Sequence, residues 1–97
     1  MSFRKLLLLL VFAASTLAMS AQFKVSGVVV DESGEAVIGA SVVQKGKPSN
    51  GVATDIDGKF TLTVPNNKSQ IVVTYVGYEK QELTVKSGVM KIALKVA

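Results

Sequence analysis

The chain has 97 residues, which is enough for one small domain. It carries 11 Lys and Arg against 7 Asp and Glu, for a formal net charge of +4, and it contains no His, Cys or Trp. These absences exclude imidazole and thiolate catalysis, disulfide bonds, and metal sites built on Cys or His.

The first 21 residues have the three-part layout of a secretory signal peptide. Arg4 and Lys5 form a basic start, residues 6–17 are an uncharged apolar run, and small residues follow up to Ala21. A membrane anchor needs roughly 20 apolar residues, which is longer than this run. We expect cleavage after Ser20 or Ala21 and export of a domain of residues 22–97 with no transmembrane segment.

The charge of the expected mature domain is modest. Without Arg4 and Lys5, nine lysines stand against seven acids, and they are mixed along the chain without a run of one sign. A nucleic-acid-binding domain would show a strong basic patch. The sequence therefore predicts no nucleic-acid partner.

The mature domain reads as one short strand after another, without a helical period. Val and Thr are abundant, and their branched Cβ atoms pack well on a pleated sheet. The expected strands are residues 23–30, 38–43, 52–55, 59–64, 71–78, 80–86 and 89–96. Seven short strands at regular spacing predict an all-β, seven-stranded sandwich with Greek-key connections.

Two of the connections carry specific predictions. Residues 45–51 contain Gly, Pro, Ser and Asn and are expected to form a loop. Asp57 and Gly58 are the residues of a two-residue hairpin with a type I′ turn, which needs positive φ at both positions.

Two acidic turns could in principle carry chemistry. Asp55 and Asp57 resemble the start of a calcium loop, but calcium needs six or more oxygens, so a turn is favoured. Asp31, Glu32 and Glu35 form another acidic turn, where exposed carboxylates normally serve solubility. The serines have no His to activate them.

Two further features allow a binding interpretation. Tyr75 and Tyr78 could stack against a sugar, although one core aromatic and one rim aromatic at a strand end is favoured. Lys45 and Lys47 fall in the expected loop and are most simply solvated.

Four strings in order and spacing resemble the carboxypeptidase regulatory-like domain. More narrowly, they resemble the N-terminal extension of SusC/RagA-type TonB-dependent outer-membrane transporters of Bacteroidetes. The strings are VSGVVVD from Val25, GEAVIGASV from Gly34, GVATDIDGKF from Gly51, and YVGY from Tyr75. The resemblance covers residues 23–96.

The resemblance implies a transthyretin-like sandwich in the periplasm, associated with the outer membrane. Its implied partners are the barrel and plug of the receptor and the TonB complex. It transfers no catalytic residue, cofactor or metal ligand, because the family positions are structural. In this chain they are Gly27, Gly39, Ala40, Thr54, Asp55, Asp57, Gly58, Phe60, Tyr75, Gly77 and Tyr78.

Two of these glycines carry a local expectation. Gly39 and Gly77 are expected to permit a close backbone approach or a bulge inside a strand. Gly58 completes the expected hairpin, and Phe60 is the expected core anchor after it.

The resemblance would continue beyond Ala97 into a TonB-interacting segment and a plug. We therefore expect a non-enzymatic accessory domain that is a fragment of a receptor. The alternative is a free-standing secreted module that binds glycan or mediates cell-surface adhesion through Tyr75, Tyr78 and residues 45–51. Enzymes of transthyretin-like fold rely on histidines, and this chain has none.

Overall fold

A computed structural model describes residues 22–97, so the expected signal peptide, residues 1–21, lies outside the described residues. The described part contains seven strands and no helix. It therefore holds no helix that is long and apolar enough to cross a membrane. The strands are β1 (Phe23–Val30), β2 (Ser41–Gln44), β3 (Lys47–Ala53), β4 (Lys59–Val64), β5 (Gln70–Thr74), β6 (Gln81–Thr84) and β7 (Val89–Ala93).

The strands form two sheets that enclose one core. The first sheet has the order β4-β1-β7, and the second has the order β3-β2-β5-β6. In the first sheet β1 is antiparallel to β4 and parallel to β7. All neighbours in the second sheet are antiparallel. The prediction of an all-β sandwich with seven strands is confirmed.

Burial along the strands follows the two-residue period of a pleated strand. In β4, Phe60, Leu62 and Val64 are buried, whereas Lys59, Thr61 and Thr63 are exposed. In the interior strand β5, Ile71 and Val73 are fully buried. The core takes side chains from both sheets: Val25, Val29, Val37, Ala40, Val42, Phe60, Leu62, Val64, Ile71, Val73, Val85, Met90, Ile92 and Leu94.

The expected loop at residues 45–51 is wrong, because most of it belongs to β3. The turn is confined to Lys45 and Gly46, and Gly46 has a φ of +85°. Lys47–Ala53 then pairs with β2. Pro48 is compatible with this strand because β3 is the edge of its sheet, where one row of backbone groups has no ladder partner.

Four strands are shorter than the sequence predicts: β2, β5, β6 and β7. The runs of β2 and β5 each contain a glycine in the left-handed region. β2 begins only at Ser41, after Gly39 with a φ of +80°, and Ile38 is 55% exposed instead of buried. β5 ends at Thr74, before Gly77 with a φ of +88°. A Cβ at either glycine would meet no atom within 4 Å. Both glycines therefore serve turns, and neither forms a bulge or a close approach inside a strand.

Candidate functional site

The Asp55 turn is held by its own aspartate. The backbone carbonyl of Asp55 accepts from the N–H of Gly58 at 2.9 Å, and its N–H donates to the carbonyl of Lys59 at 3.0 Å. Its Oδ1 accepts from the N–H groups of Asp57 and Lys59, at 2.9 Å each. Gly58 has a φ of +73°, which a residue with a side chain adopts at a cost.

The Asp31 turn repeats this geometry. The carbonyl of Asp31 accepts from the N–H of Gly34 at 3.1 Å, and its N–H donates to the carbonyl of Glu35 at 2.9 Å. Its Oδ1 accepts from the N–H groups of Ser33 at 2.8 Å and Glu35 at 3.0 Å. Gly34 has a φ of +83°. Both aspartates therefore have a structural task within their turns.

The expected type I′ hairpin at Asp57 and Gly58 is wrong. No residue other than Gly has a positive φ in residues 22–97, so Asp57 lacks the conformation that such a turn requires. The flanking strands β3 and β4 also lie in different sheets. The turn instead carries the chain from one sheet to the other. It docks on β1, where the N–H of Val29 donates to the carbonyl of Gly58 at 2.8 Å.

Thr54 is the buried polar side chain beside this crossing. Its hydroxyl donates to the carbonyl of Val37 at 2.6 Å and accepts from the N–H of Ala40 at 2.9 Å. Its backbone N–H donates to the carbonyl of Ala40 at 3.0 Å, and its carbonyl accepts from the N–H of Gly39 at 3.0 Å. One residue therefore fixes the whole segment that leads into β2.

Tyr75 and Tyr78 pack against each other. Their ring centroids are 6.0 Å apart with an interplanar angle of 39°. Tyr78 is half-buried and packs on the core, whereas Tyr75 is exposed. The interpretation of one core aromatic and one rim aromatic is therefore confirmed.

The end of the described chain closes over the Tyr75–Tyr78 turn. The N–H of Ala97 donates to the carbonyl of Gly77 at 3.0 Å, and Val96 forms an isolated bridge with Tyr78. The N–H of Val96 also donates to Oε1 of Glu32 at 3.0 Å. The Asp31 turn, the Tyr75 turn and residues 94–97 therefore meet at one end of the sandwich.

We call this the apolar end and define it as residues 31–40, 54–58, 75–78 and 94–97. The described residues include six large hydrophobic side chains that are exposed. Five of them lie at the apolar end: Ile38, Ile56, Tyr75, Val76 and Val96. Val76 is 92% exposed. Large apolar side chains that gather at one place on a surface are typical of an interaction site.

Most of the family positions also converge at the apolar end. These are Gly39, Ala40, Thr54, Asp55, Asp57, Gly58, Tyr75, Gly77 and Tyr78. Gly27 and Phe60 lie away from the apolar end. They stand opposite each other in the antiparallel pair of β1 and β4. A Cβ at Gly27 would lie 2.5 Å from Cε1 of Phe60, so that glycine makes room for the ring.

The electrostatics of the described part are mild. No group of three or more Asp and Glu in residues 22–97 could hold a metal ion. A hydrogen bond from Nζ of Lys45 at 2.8 Å, together with the charge of Lys45, lowers the pKa of Glu82. Nζ of Lys80 lies 3.8 Å from Oε1 of Glu82. This cluster stands on the second sheet, apart from the apolar end.

The expected glycan contacts are spread over two adjoining grooves. Tyr75 lines one groove, Pro48 and Gly51 line the other, and Gly39 and Ser41 line both. Lys45 lies at the opposite end of β2, next to Gln44. The glycan interpretation therefore stays a prediction that concerns Tyr75 and residues 48–51 more than the two lysines.

Sequence reasoning missed four exposed hydrophobic residues of the apolar end. Ile38, Val76 and Val96 fall within expected strands, and Ile56 lies in a family string without a predicted role of its own. The signal was present, because each of the isoleucines and Val76 stands directly beside Gly or Asp in a turn. An apolar residue in a turn cannot reach a core as easily as one in a strand.

The family of the chain follows from comparison with known proteins. The family model of the CarboxypepD_reg-like domain matches residues 25–96, and the chain belongs to this family. TonB-dependent receptor P39 of Formosa agariphila is 38% identical over 82 residues, which is 84% of this chain. TonB-dependent receptor SusC of Bacteroides thetaiotaomicron is 45% identical over 78 residues, which is 80% of this chain. The matched region is 8% of the length of each receptor.

Proposed function

We propose that the chain is a non-enzymatic accessory domain of a TonB-dependent outer-membrane receptor and acts through protein–protein contacts. The observation that carries this proposal is the apolar end, where five of the six exposed large hydrophobic side chains of the described residues lie. The similarity to two TonB-dependent receptors names the class of protein in which such a domain occurs.

The polar groups of the apolar end support a contact role more than a catalytic one. The Asp31 and Asp55 carboxylates accept backbone N–H groups of their own turns. The Thr54 hydroxyl is buried and bonded on both sides. The absence of His and Cys from the chain excludes imidazole and thiolate chemistry.

The proposed location is the periplasm, at the inner side of the outer membrane. Residues 1–21 are proposed to be the signal peptide that directs export. The proposed partners of the apolar end are the barrel and plug of the receptor, with the TonB complex as a further partner. In a receptor that continues past Ala97, the next segment leaves from the apolar end itself.

An antibody against residues 22–97 tests this proposal in fractionated cells of the native organism. We expect a band far larger than the 10.2 kDa of this chain, in the outer-membrane fraction. The matched control is the same blot after deletion of the coding sequence. A band no larger than this chain, in the soluble periplasmic fraction, would contradict the receptor proposal and favour a free-standing module.

A further inference from the structure

The sandwich is open along one side, between the edge strands β6 and β7. On the opposite side, Cα atoms of β3 and β4 approach within 8 Å of each other, whereas no Cα of β6 lies within 8 Å of one in β7. A groove of about 560 Å³ fills this gap and is lined by both strands. The two sheets therefore present their edges to a shared groove.

The edge of β7 offers backbone groups to this groove. The N–H of Leu94 donates to Val30 of β1 at 2.9 Å, whereas the carbonyl of Ala93 accepts from Nε2 of Gln81 at 2.6 Å. Neighbouring residues of a strand direct their backbone groups to opposite sides. Val89, Lys91 and Ala93 therefore direct their N–H and C=O groups away from β1. Such an edge is a template for another strand.

The floor of the groove is apolar. Met90 and Ile92 of β7 are buried at 9% and 3% exposure, and Leu83 of β6 is only half-buried against the core. A strand paired with β7 would direct every second side chain toward Leu83. Apolar side chains at those positions would complete the burial of Leu83.

The rim of the groove is basic. Glu82 is already engaged by Lys45 and Lys80. Lys86 and Lys91 also line the groove, are exposed, and have no carboxylate within 4 Å among residues 22–97. Lysines on an edge disfavour pairing with neutral or basic strands. The same lysines attract a strand that carries carboxylates.

We propose that the edge of β7 binds a short, extended, acidic peptide segment by strand addition. The segment pairs its backbone with Val89, with Lys91 and with the N–H of Ala93, whose carbonyl already accepts from Gln81. It places apolar side chains over Leu83 and directs carboxylates toward the rim lysines. This inference goes beyond the proposed receptor role. It concerns a surface other than the apolar end, so either proposal can fail while the other stands.

Hydrogen exchange measured by NMR on the full ¹⁵N-labelled chain tests this binding. The probe is a blocked hexapeptide of alternating valine and glutamate. We expect the amides of Lys91 and Ala93 to shift and to exchange at least about tenfold more slowly at saturation, which corresponds to about 1.4 kcal/mol. The amides of Met90 and Ile92, which face β1, should change little.

Two control peptides test the pairing and the charge. The same hexapeptide with one central valine replaced by proline should not protect β7, because proline removes a donor and breaks pairing. A valine and lysine hexapeptide should not bind. Protection elsewhere with none in β7, or no binding of the acidic peptide at millimolar concentration, would overturn the proposal.

A matched pair of double variants tests the rim lysines. K86E/K91E should weaken binding of the acidic peptide at least about tenfold, because it replaces two attractive charges by two repulsive ones. K24E/K47E makes the same change in net charge on exposed lysines away from the groove and should bind nearly as well. If both double variants lose the same affinity for the acidic peptide, the effect comes from net charge alone, which would contradict the proposed site. If K86E/K91E does not fold, K86Q/K91Q answers the same question.

Discussion

The hydroxyl of Thr54 donates to the carbonyl of Val37 across 17 positions of sequence, at a distance of 2.6 Å. This bond links the crossing between the two sheets to the segment that leads into β2. Thr54 is only 4% exposed, so water cannot replace the bond. The contact between this crossing and residues 37–40 therefore depends in part on one buried hydroxyl.

Replacing this hydroxyl tests its role. Thr54→Val keeps the size of the side chain but leaves the carbonyl of Val37 and the N–H of Ala40 without their partner. We expect a loss of about 1–3 kcal/mol in the free energy of unfolding, measured by urea denaturation. Thr54→Ser keeps the hydroxyl and removes one methyl group, at about 1 kcal/mol. A valine variant that loses no stability relative to the original chain would contradict this role.

The two aspartate turns provide a matched glycine comparison. Gly34 and Gly58 share a positive φ, but a Cβ at Gly34 would meet nothing within 4 Å. A Cβ at Gly58 would lie 2.5 Å from the carbonyl oxygen of Val29. Gly34→Ala should cost about 1–2 kcal/mol through its backbone conformation alone. Gly58→Ala should cost clearly more in the same denaturation measurement, and equal costs would show that this contact does not matter.

The close packing at Gly27 predicts a large effect of one methyl group. In Gly27→Ala the new Cβ would lie 2.6 Å from Cζ of Phe60 and 2.8 Å from the carbonyl oxygen of Met90. Overpacking of this kind costs about 1–3 kcal/mol, measurable as a fall in the denaturation midpoint. Ser26→Ala, one residue earlier on β1, is the control and should stay within about 0.5 kcal/mol. Similar small effects at both positions would argue against a tight Gly27–Phe60 contact.

The Lys45–Glu82 pair predicts a defined pH effect. Because the folded chain lowers the pKa of Glu82, this pair contributes stability above the ordinary pKa of the carboxyl. That contribution is lost as the pH falls through the lowered pKa. Lys45→Met should raise the Glu82 pKa toward its ordinary value in a ¹³C NMR titration. Lys80→Met should raise it less, since Lys80 is farther away, and an unchanged pKa in Lys45→Met would refute this assignment.

Strand composition and alternation were enough to predict the number of strands and the fold class. β4 shows why, since Phe60, Leu62 and Val64 alternate with polar residues and all three are buried. β1 combines an alternating start with an apolar end, and it lies between two neighbours in its sheet. Patterns of this kind report which face of a strand is buried.

The same patterns could not show where strands end or which strands pair. The sequence does not show whether Gly39 and Gly77 lie in a strand or in a turn. Glycine adopts positive and negative φ about equally readily, so the surrounding chain decides its conformation. The presence of Pro48 favours a loop. Pro48 fits a strand here because β3 is the edge strand of its sheet. The parallel pairing of β1 with β7 joins residues far apart in sequence, so no local signal indicates it.

The sequence alone indicates only part of the apolar end. Its glycines and tyrosines stood out through the family resemblance. Ile38 and Val96 fit a strand pattern, and only the turns of the folded chain leave them exposed. Thr54 lay within a family string, but its bond to Val37 depends on the crossing between sheets.

The measurement that tests the account most directly is site-specific photo-crosslinking in native cells. A photoreactive amino acid replaces Val76, which is 92% exposed at the apolar end, or Thr61, which is exposed on the outer face of β4. We expect crosslinks from position 76 to receptor segments or other envelope proteins, identified by mass spectrometry, and few from position 61. No crosslinks from position 76, or equal crosslinking from both positions, would contradict the claim that the apolar end is the contact surface.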